Sequence, residues 1–245
     1  MLYLFGAFVG LVLLLILWAA VIAPGRTRKL FSDLQTQGWE RVERKDAGLR
    51  AALGALRPFD LTSYVFDPAA PPSARIDSAL GRAGPRGARY LVQLRVQARD
   101  TLKEYETSFN TLALGLQSLA LGRPSVYILD RTLEPNIGSS AEVLGLRRVE
   151  SGLDPGFAGL FLVFDGGGGD LRLPSALQQA LLASAALFVY GAGERGRYLP
   201  RVCLRLAPAG WALLVPEPIT TRRQLRAFLD AADAVSDALA SATPS

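Results

Sequence analysis

The chain has 245 residues, of which 50% are hydrophobic and 20% are charged, and its mean hydropathy is +0.23. This composition excludes a disordered or collagen-like chain and is sufficient for one ordinary core or two small subdomains. The sequence has no histidine and one cysteine, Cys203, so Ser-His-Asp and Cys-His catalysis and an intramolecular disulfide are excluded, and no zinc site is expected.

The first predicted element is a transmembrane helix over residues 1–24. Residues 1–23 carry no charged side chain, and a helix of that length reaches roughly 35 Å, enough to cross a hydrocarbon core of about 30 Å. No Lys or Arg precedes the apolar run, and the run is longer than that of a secretory signal. An anchor is therefore favoured over a cleaved signal peptide, which is the alternative interpretation.

A basic flank follows the predicted anchor. Arg26, Arg28 and Lys29 predict that the C-terminal domain lies in the cytoplasm, because Lys and Arg beside a span favour that side. Without these three bases, the 27 Lys and Arg fall to 24 against 22 Asp and Glu, so the net charge drops from +5 to about +2. The flank is expected to contact anionic lipid headgroups, and nucleic-acid binding is not expected.

Residues 25–46 are interpreted as this basic flank and a connector. Within them, residues 29–38 predict a short helix that ends at Gly38, and Trp39 begins a polar, solvated stretch. Leucines at helical spacing then predict an amphipathic helix over residues 47–57, started by Asp46. Residues 61–66 favour a strand.

A long loop or a subdomain joint is predicted over residues 67–89, which contain four prolines and three glycines. This stretch is the most basic in the rest of the chain, with Arg75, Arg82, Arg86 and Arg89 against Asp67 and Asp77. A phosphate-binding loop is disfavoured, because no Lys-Ser/Thr pair follows the glycines and no predicted strand precedes them.

The remaining pattern predicts an antiparallel sheet with two further helices. Alternating apolar residues indicate strands over 90–97 and 102–116, with a β-bulge or a strand end near Thr111, and another strand over 123–131. A turn at residues 151–156 precedes an apolar strand that ends at Asp165. Helices are predicted over 174–188 and 221–241, separated by two strands that join at residues 207–210.

The polar sequence DGGGGD places two carboxylates, Asp165 and Asp170, on either side of four glycines. Oxygen ligands of this kind suit Mg²⁺ or Ca²⁺, so these residues are the candidate metal ligands. The spacing matches neither an EF-hand nor a GxGxxG loop, and a flexible strand-to-helix connection explains it with fewer assumptions. No catalytic or cofactor-binding residue is assigned, and no cofactor is expected.

Three stretches carry a resemblance to a known family: RPSVYILDR at 123–131, VESGLDPGFAGLFLVF at 149–164 and LPSALQQALL at 173–182. Together with the N-terminal apolar run, they resemble an uncharacterised family of bacterial membrane-anchored proteins. The resemblance covers roughly half of the chain and implies the strand, turn and helix order of that part. It implies no activity and no site, and DGGGGD departs from the more polar connection expected in the family.

The sequence thus predicts an α+β fold in which an N-terminal transmembrane helix is followed by a soluble domain, residues 47–245, with an antiparallel sheet and packed helices. The predicted function is that of a non-enzymatic interaction or scaffold module at the cell membrane, whose partners are the bilayer and a membrane protein. Two alternatives stay open: a metal-dependent enzyme that uses Asp165 and Asp170, and an extracytoplasmic domain with the reverse orientation.

Overall fold

The computed structural model describes Gly10 and residues 30–56, 73–84, 86–99, 105–131, 141–142, 144–167, 170–185, 202–215, 219 and 221–241. Its strands are β1 (Glu40–Arg41), β2 (Ser73–Gly84), β3 (Gly87–Arg99), β4 (Tyr105–Leu116), β5 (Val126–Asp130), β6 (Arg147–Val149), β7 (Phe161–Asp165), β8 (Cys203–Ala207) and β9 (Gly210–Val215). Its helices are α1 (Ala47–Leu56), α2 (Pro155–Leu160), α3 (Ser175–Ala185) and α4 (Arg222–Ser241), and residues 30–35 are also helical.

The nine strands form one antiparallel sheet in the order β1-β2-β3-β4-β9-β8-β5-β7-β6. Strands β2, β3 and β4 follow one another as a meander, whereas the C-terminal hairpin β8–β9 lies between β4 and β5. The hairpin therefore joins two parts of the sheet that precede it in the chain.

Successive side chains of a strand point to opposite sides of the sheet. In the central strands, the side chains on both sides are buried. In β5, Val126 and Ile128 pack in the core beneath α2, α3 and α4, whereas Tyr127 and Leu129 belong to a second core with α1. We call these the α4 face and the α1 face. The near-continuous apolar runs of β5 and β7 reflect this burial on two sides.

Helix α4, predicted over residues 221–241, begins at a capping box. The backbone N–H of Gln224 donates to Thr221 Oγ1 at 3.2 Å, and the Thr221 hydroxyl donates to Gln224 Oε1 at 3.0 Å. The helix carries an apolar stripe, in which Leu225, Phe228 and Val235 are buried. This stripe fixes α4 on the sheet and turns its charged side outward.

Most of the other predicted elements are confirmed. Asp46 Oδ1 accepts a hydrogen bond from the Leu49 N–H at 2.7 Å and starts α1, and α3 buries Leu177 and Leu181 on one face. The two strands joined at residues 207–210 are β8 and β9. The predicted strand at 61–66 and the last residues of the predicted helix, 186–188, lie outside the described residues.

The prediction of a transmembrane helix is corrected by the structure. Among the described residues, no helix is long and apolar enough to cross a membrane. The longest, α4, has 20 residues but carries three arginines and three aspartates, and α1 and α3 have 10 and 11 residues, about half the length that a bilayer requires. The predicted span itself, apart from Gly10, lies outside the described residues, as do Arg26, Arg28 and Lys29. The α+β part of the predicted fold is confirmed, the transmembrane part is not, and the cytoplasmic orientation stays a prediction.

The predicted loop at 67–89 is wrong for residues 73–84, which form β2. The register of β2 with β3 runs from Ser73↔Gln97 to Gly84↔Gly87, and it shifts once between Ile76 and Ser78. The expected bulge near Thr111 is absent, since the β3–β4 register is continuous through Thr111↔Gln93. Gly84 and Gly87 lie at the turn where β2 reverses into β3, and three of the four prolines precede β2 in the sequence.

The predictions for two shorter stretches of the chain are also partly wrong. Residues 155–160, interpreted as the end of a turn and the start of the apolar strand, form α2. Asp154 Oδ1 accepts from the N–H groups of Gly156 and Phe157, and Pro155 fits the first helical position. The connector after Gly38 is not fully solvated. Trp39 is 8% exposed, and Glu40 and Arg41 pair with β2 as the edge strand β1.

Candidate functional site: an arginine-lined cleft

A large cleft opens on the α4 face. It lies between α4, residues 30–39 and the β2–β3 hairpin, and its volume is about 1210 Å³. Six arginines line it, and we call it the arginine-lined cleft: Arg82, Arg86, Arg89, Arg222, Arg223 and Arg226. Small-molecule sites typically occupy about 300–1,000 Å³, so the space is ample for a ligand.

The cleft carries an excess of positive charge. Its acidic lining consists of four aspartates, namely Asp33, Asp230, Asp233 and Asp237. Six arginines against four aspartates leave a net charge of +2. A concave surface with one dominant sign of charge concentrates ions of the opposite sign, so the cleft attracts anions.

Three ion pairs connect the walls of the cleft to α4. From the β2–β3 hairpin, Arg86 pairs with Asp237 and Arg89 pairs with Asp233. From the other end of α4, Arg222 Nη2 lies 2.5 Å from Asp33 Oδ2, and its Nε lies 3.0 Å from the same oxygen. All of these carboxylates are at least 37% exposed, so each pair contributes only about 0–1 kcal/mol to folding.

The other three arginines, Arg82, Arg223 and Arg226, form no ion pair with a carboxylate within the described part of the chain. Arg82 lies directly opposite Arg89 in the β2–β3 register. Like charges at such a position destabilise a sheet. These three side chains leave guanidinium donors available at the cleft surface.

The position of Arg223 and Arg226 is also unfavourable for their own helix. They lie with Arg222 in the first five residues of α4, and its first turn contains no acidic residue. The N-terminal end of a helix carries a partial positive charge, so each cation there costs about 0.3–1 kcal/mol. The charges therefore add to the helix dipole and strengthen the positive potential at this end of the cleft.

The floor of the cleft is apolar and includes two indoles. Its buried lining residues are Leu30, Leu34, Trp39, Ala113, Leu114, Trp211, Leu225 and Ala232. Trp211 in β9 lies against Gly115 in β4, where a Cβ atom would overlap the indole ring. Glycine at this position lets the indole lie flat on the sheet, so the cleft combines a charged rim with an apolar base.

The candidate metal ligands have other partners. Asp165 is fully buried at the end of β7, where its carboxylate pairs with Arg123 and its Oδ1 accepts from the Gly167 N–H at 2.9 Å. Asp170 is exposed, and its backbone carbonyl, 3.3 Å from Arg123 Nη2, is what joins this cluster. The structure thus pairs Asp165 with the guanidinium group of Arg123. Sequence reasoning did not identify Arg123, although it contacts both Asp165 and Asp170.

The described residues form no metal-ligand cluster and contain no activated thiol. In the described ranges, no group of three or more Asp, Glu or Cys side chains is placed to hold a metal ion. Cys203 in β8 is buried on the α1 face, and burial raises the pKa of its thiol to about 12. The thiol is therefore protonated at neutral pH and inert as a nucleophile.

Comparison with known proteins gives no further assignment: no family model, no curated protein and no solved structure matches this chain. The resemblance to a bacterial membrane-anchored family stays a prediction.

Proposed function

We propose that this domain is a non-enzymatic binding module that takes an anionic ligand or partner in the arginine-lined cleft. The observation that carries the proposal is the set of three arginines, Arg82, Arg223 and Arg226, that line the cleft without a carboxylate partner among the described residues. Guanidinium groups bind carboxylates and phosphates through two parallel hydrogen bonds, so the available donors match an anion.

The chemistry of the chain supports binding over catalysis. The sequence has no histidine, and its cysteine is buried with a raised pKa. In the cleft, arginine is a poor general acid or base because it stays protonated at every physiological pH. Arginines can hold and orient an anion, but on their own they do not exchange protons with it.

Thermal-shift titration with a panel of organic anions tests this proposal. We expect at least one anion to raise the melting temperature of the wild-type chain and to be recovered chemically unchanged. The variant Arg82→Gln/Arg223→Gln/Arg226→Gln should lose this shift. Recovery of a converted anion would contradict the non-enzymatic role, and an equal shift in the variant would contradict the site.

The alternative, a metal-dependent enzyme centred on Asp165 and Asp170, stays a prediction. Calorimetry with Mg²⁺ and Ca²⁺ tests it, with Asp165→Ala and Asp170→Ala as the variants that should abolish binding.

A further inference from the structure

We infer that the ligand of the arginine-lined cleft is an amphipathic phosphate ester, with a dianionic phosphate at the N-terminal end of α4 and an aromatic or apolar body on the indole floor. This inference rests on the proposed function and adds the chemical class of the ligand. Three independent features of the cleft support it: the amount of charge, the position of that charge and the nature of the floor.

The amount of charge matches a dianion. The cleft has a net charge of +2, and its ion-paired arginines are neutralised locally by Asp33, Asp233 and Asp237. A phosphate monoester carries a charge of about −1.5 to −2 at pH 7, and it offers three acceptor oxygens. One such group satisfies the excess charge that the cleft presents.

The charge also lies where a phosphate is favoured. Arg223 lies in the first turn of a 20-residue helix and Arg226 in the next, at the end where the helix dipole attracts anions. Arginines at this end of the helix lower its stability, so helix stability does not explain why the sequence has them there. A bound phosphate reverses the sign of that effect, because it pairs with both the guanidinium groups and the helix end.

The floor requires more than a bare anion. Trp39 and Trp211 line the cleft together with leucines from residues 30–34 and from α4. An inorganic ion would leave this apolar surface and most of the 1210 Å³ volume to water. An aromatic or acyl body attached to the phosphate removes that surface from water, and burial of apolar area favours binding.

Isothermal titration calorimetry of the full chain tests the inference with four probes: 1-naphthyl phosphate, inorganic phosphate, 1-naphthol and an acidic peptide of eight glutamates. We expect 1-naphthyl phosphate to bind at least tenfold more tightly than either of its halves. Its affinity should fall as NaCl is added, since ions screen the phosphate from the arginines.

Two matched double variants locate the site. Arg223→Gln/Arg226→Gln removes two charges from the cleft and should weaken binding of 1-naphthyl phosphate at least tenfold. Arg147→Gln/Arg172→Gln removes two exposed arginines that do not line the cleft and should change the affinity less than twofold. Circular dichroism melts establish that each variant is folded.

The outcomes separate this inference from the proposed function. If inorganic phosphate binds as tightly as 1-naphthyl phosphate, the floor is not used and the amphipathic class is wrong. If the acidic peptide alone binds, and does so through Arg223 and Arg226, this inference fails while the proposed function stands. If none of the four probes binds and the anion panel also gives no shift, both fail.

Discussion

Arg123 determines the geometry of the glycine loop between β7 and α3. Its guanidinium pairs with the buried Asp165, and it also donates to the backbone carbonyls of Leu121 and Asp170. A buried carboxylate depends on such a partner, because removing one member of a buried pair leaves the other charge without compensation. The glycines in this loop allow the chain to pass close to Arg123, whose Cβ lies within 2.7 Å of where a Cβ at Gly167 would lie.

Replacing Arg123 by alanine should therefore destabilise the domain. We expect Arg123→Ala to lower the free energy of unfolding by about 3 kcal/mol, because Asp165 is left buried and unpaired. Urea unfolding of the purified chain measures this change. Arg172→Ala, at an exposed arginine in the same connection, is the control and should stay within about 0.5 kcal/mol of the wild type. Equal small effects of the two changes would contradict the structural role of Arg123.

The buried thiol predicts a pH dependence at the alkaline end. Burial raises the pKa of Cys203 from its ordinary value of 9.0 to about 12, so the folded state holds this proton more tightly than the unfolded state does. The contribution of Cys203 to the free energy of unfolding is therefore complete below pH 9 and is lost as the pH rises from 9 towards 12. Unfolding curves of wild type and Cys203→Ala should converge over this window, and a constant difference between them would contradict the burial of the thiol.

At the scale of elements, the helix that carries the cleft arginines is expected to gain stability when one of them is reversed in charge. Arg223→Glu places a carboxylate at the N-terminal end of α4, where the dipole favours it, and should raise the free energy of unfolding by about 0.5–1 kcal/mol. The same change should abolish binding of 1-naphthyl phosphate. Denaturant unfolding and calorimetry on one preparation measure both effects.

The matched control places the same charge at the opposite end of α4. Ser241→Glu should lower the free energy of unfolding, because the C-terminal end of the helix is partially negative. It should leave ligand binding unchanged, since Ser241 does not line the cleft. If Arg223→Glu destabilises the chain instead, Arg223 has a structural partner, and its assignment as a binding residue fails.

Local patterns predicted α1, α3, α4 and the strands β3, β4, β5, β7, β8 and β9, because caps, apolar periodicity and turn residues are read within one short window. They failed at β2, where arginines and glycines resemble a loop but Ala79 and Leu80 are buried on opposite faces by partners far along the chain. The four arginines of residues 75–89 form a basic patch in the sequence, within a predicted loop. Their true setting depends on the β2–β3 pairing, which propensity does not encode.

At the scale of the whole molecule, the cleft could not be predicted, because it is assembled from residues 33, 82–89 and 222–237. No local motif joins segments that are more than a hundred residues apart. The order of the strands in the sheet could not be predicted for the same reason, since β4 pairs with β9 and β5 pairs with β8. A basic patch in the middle of the chain and arginines at a helix start were separate signals, and only the topology shows that they share one surface.

Removing α4 should unfold the domain as a whole. The helix contributes Leu225, Phe228, Val235 and Leu239 to the core of the α4 face, and it also packs on α3. We expect a chain that ends at residue 220 to lose its cooperative thermal transition, since burying a large apolar side chain contributes about 1.5–3 kcal/mol. A chain that ends at residue 241 should melt as the full chain does. A cooperative transition in the shorter chain would show that α4 is an independent addition to the sheet.

The position of the β8–β9 hairpin has a consequence for the order in which the protein is made. A ribosome releases β1 to β7 before the two strands that lie between β4 and β5. Until residue 215 has emerged, the edges of β4 and β5 are unpaired, and their backbone groups are open to other chains. The sheet therefore closes last at its centre, so ribosome-bound chains should acquire protease resistance only after this hairpin has left the exit tunnel.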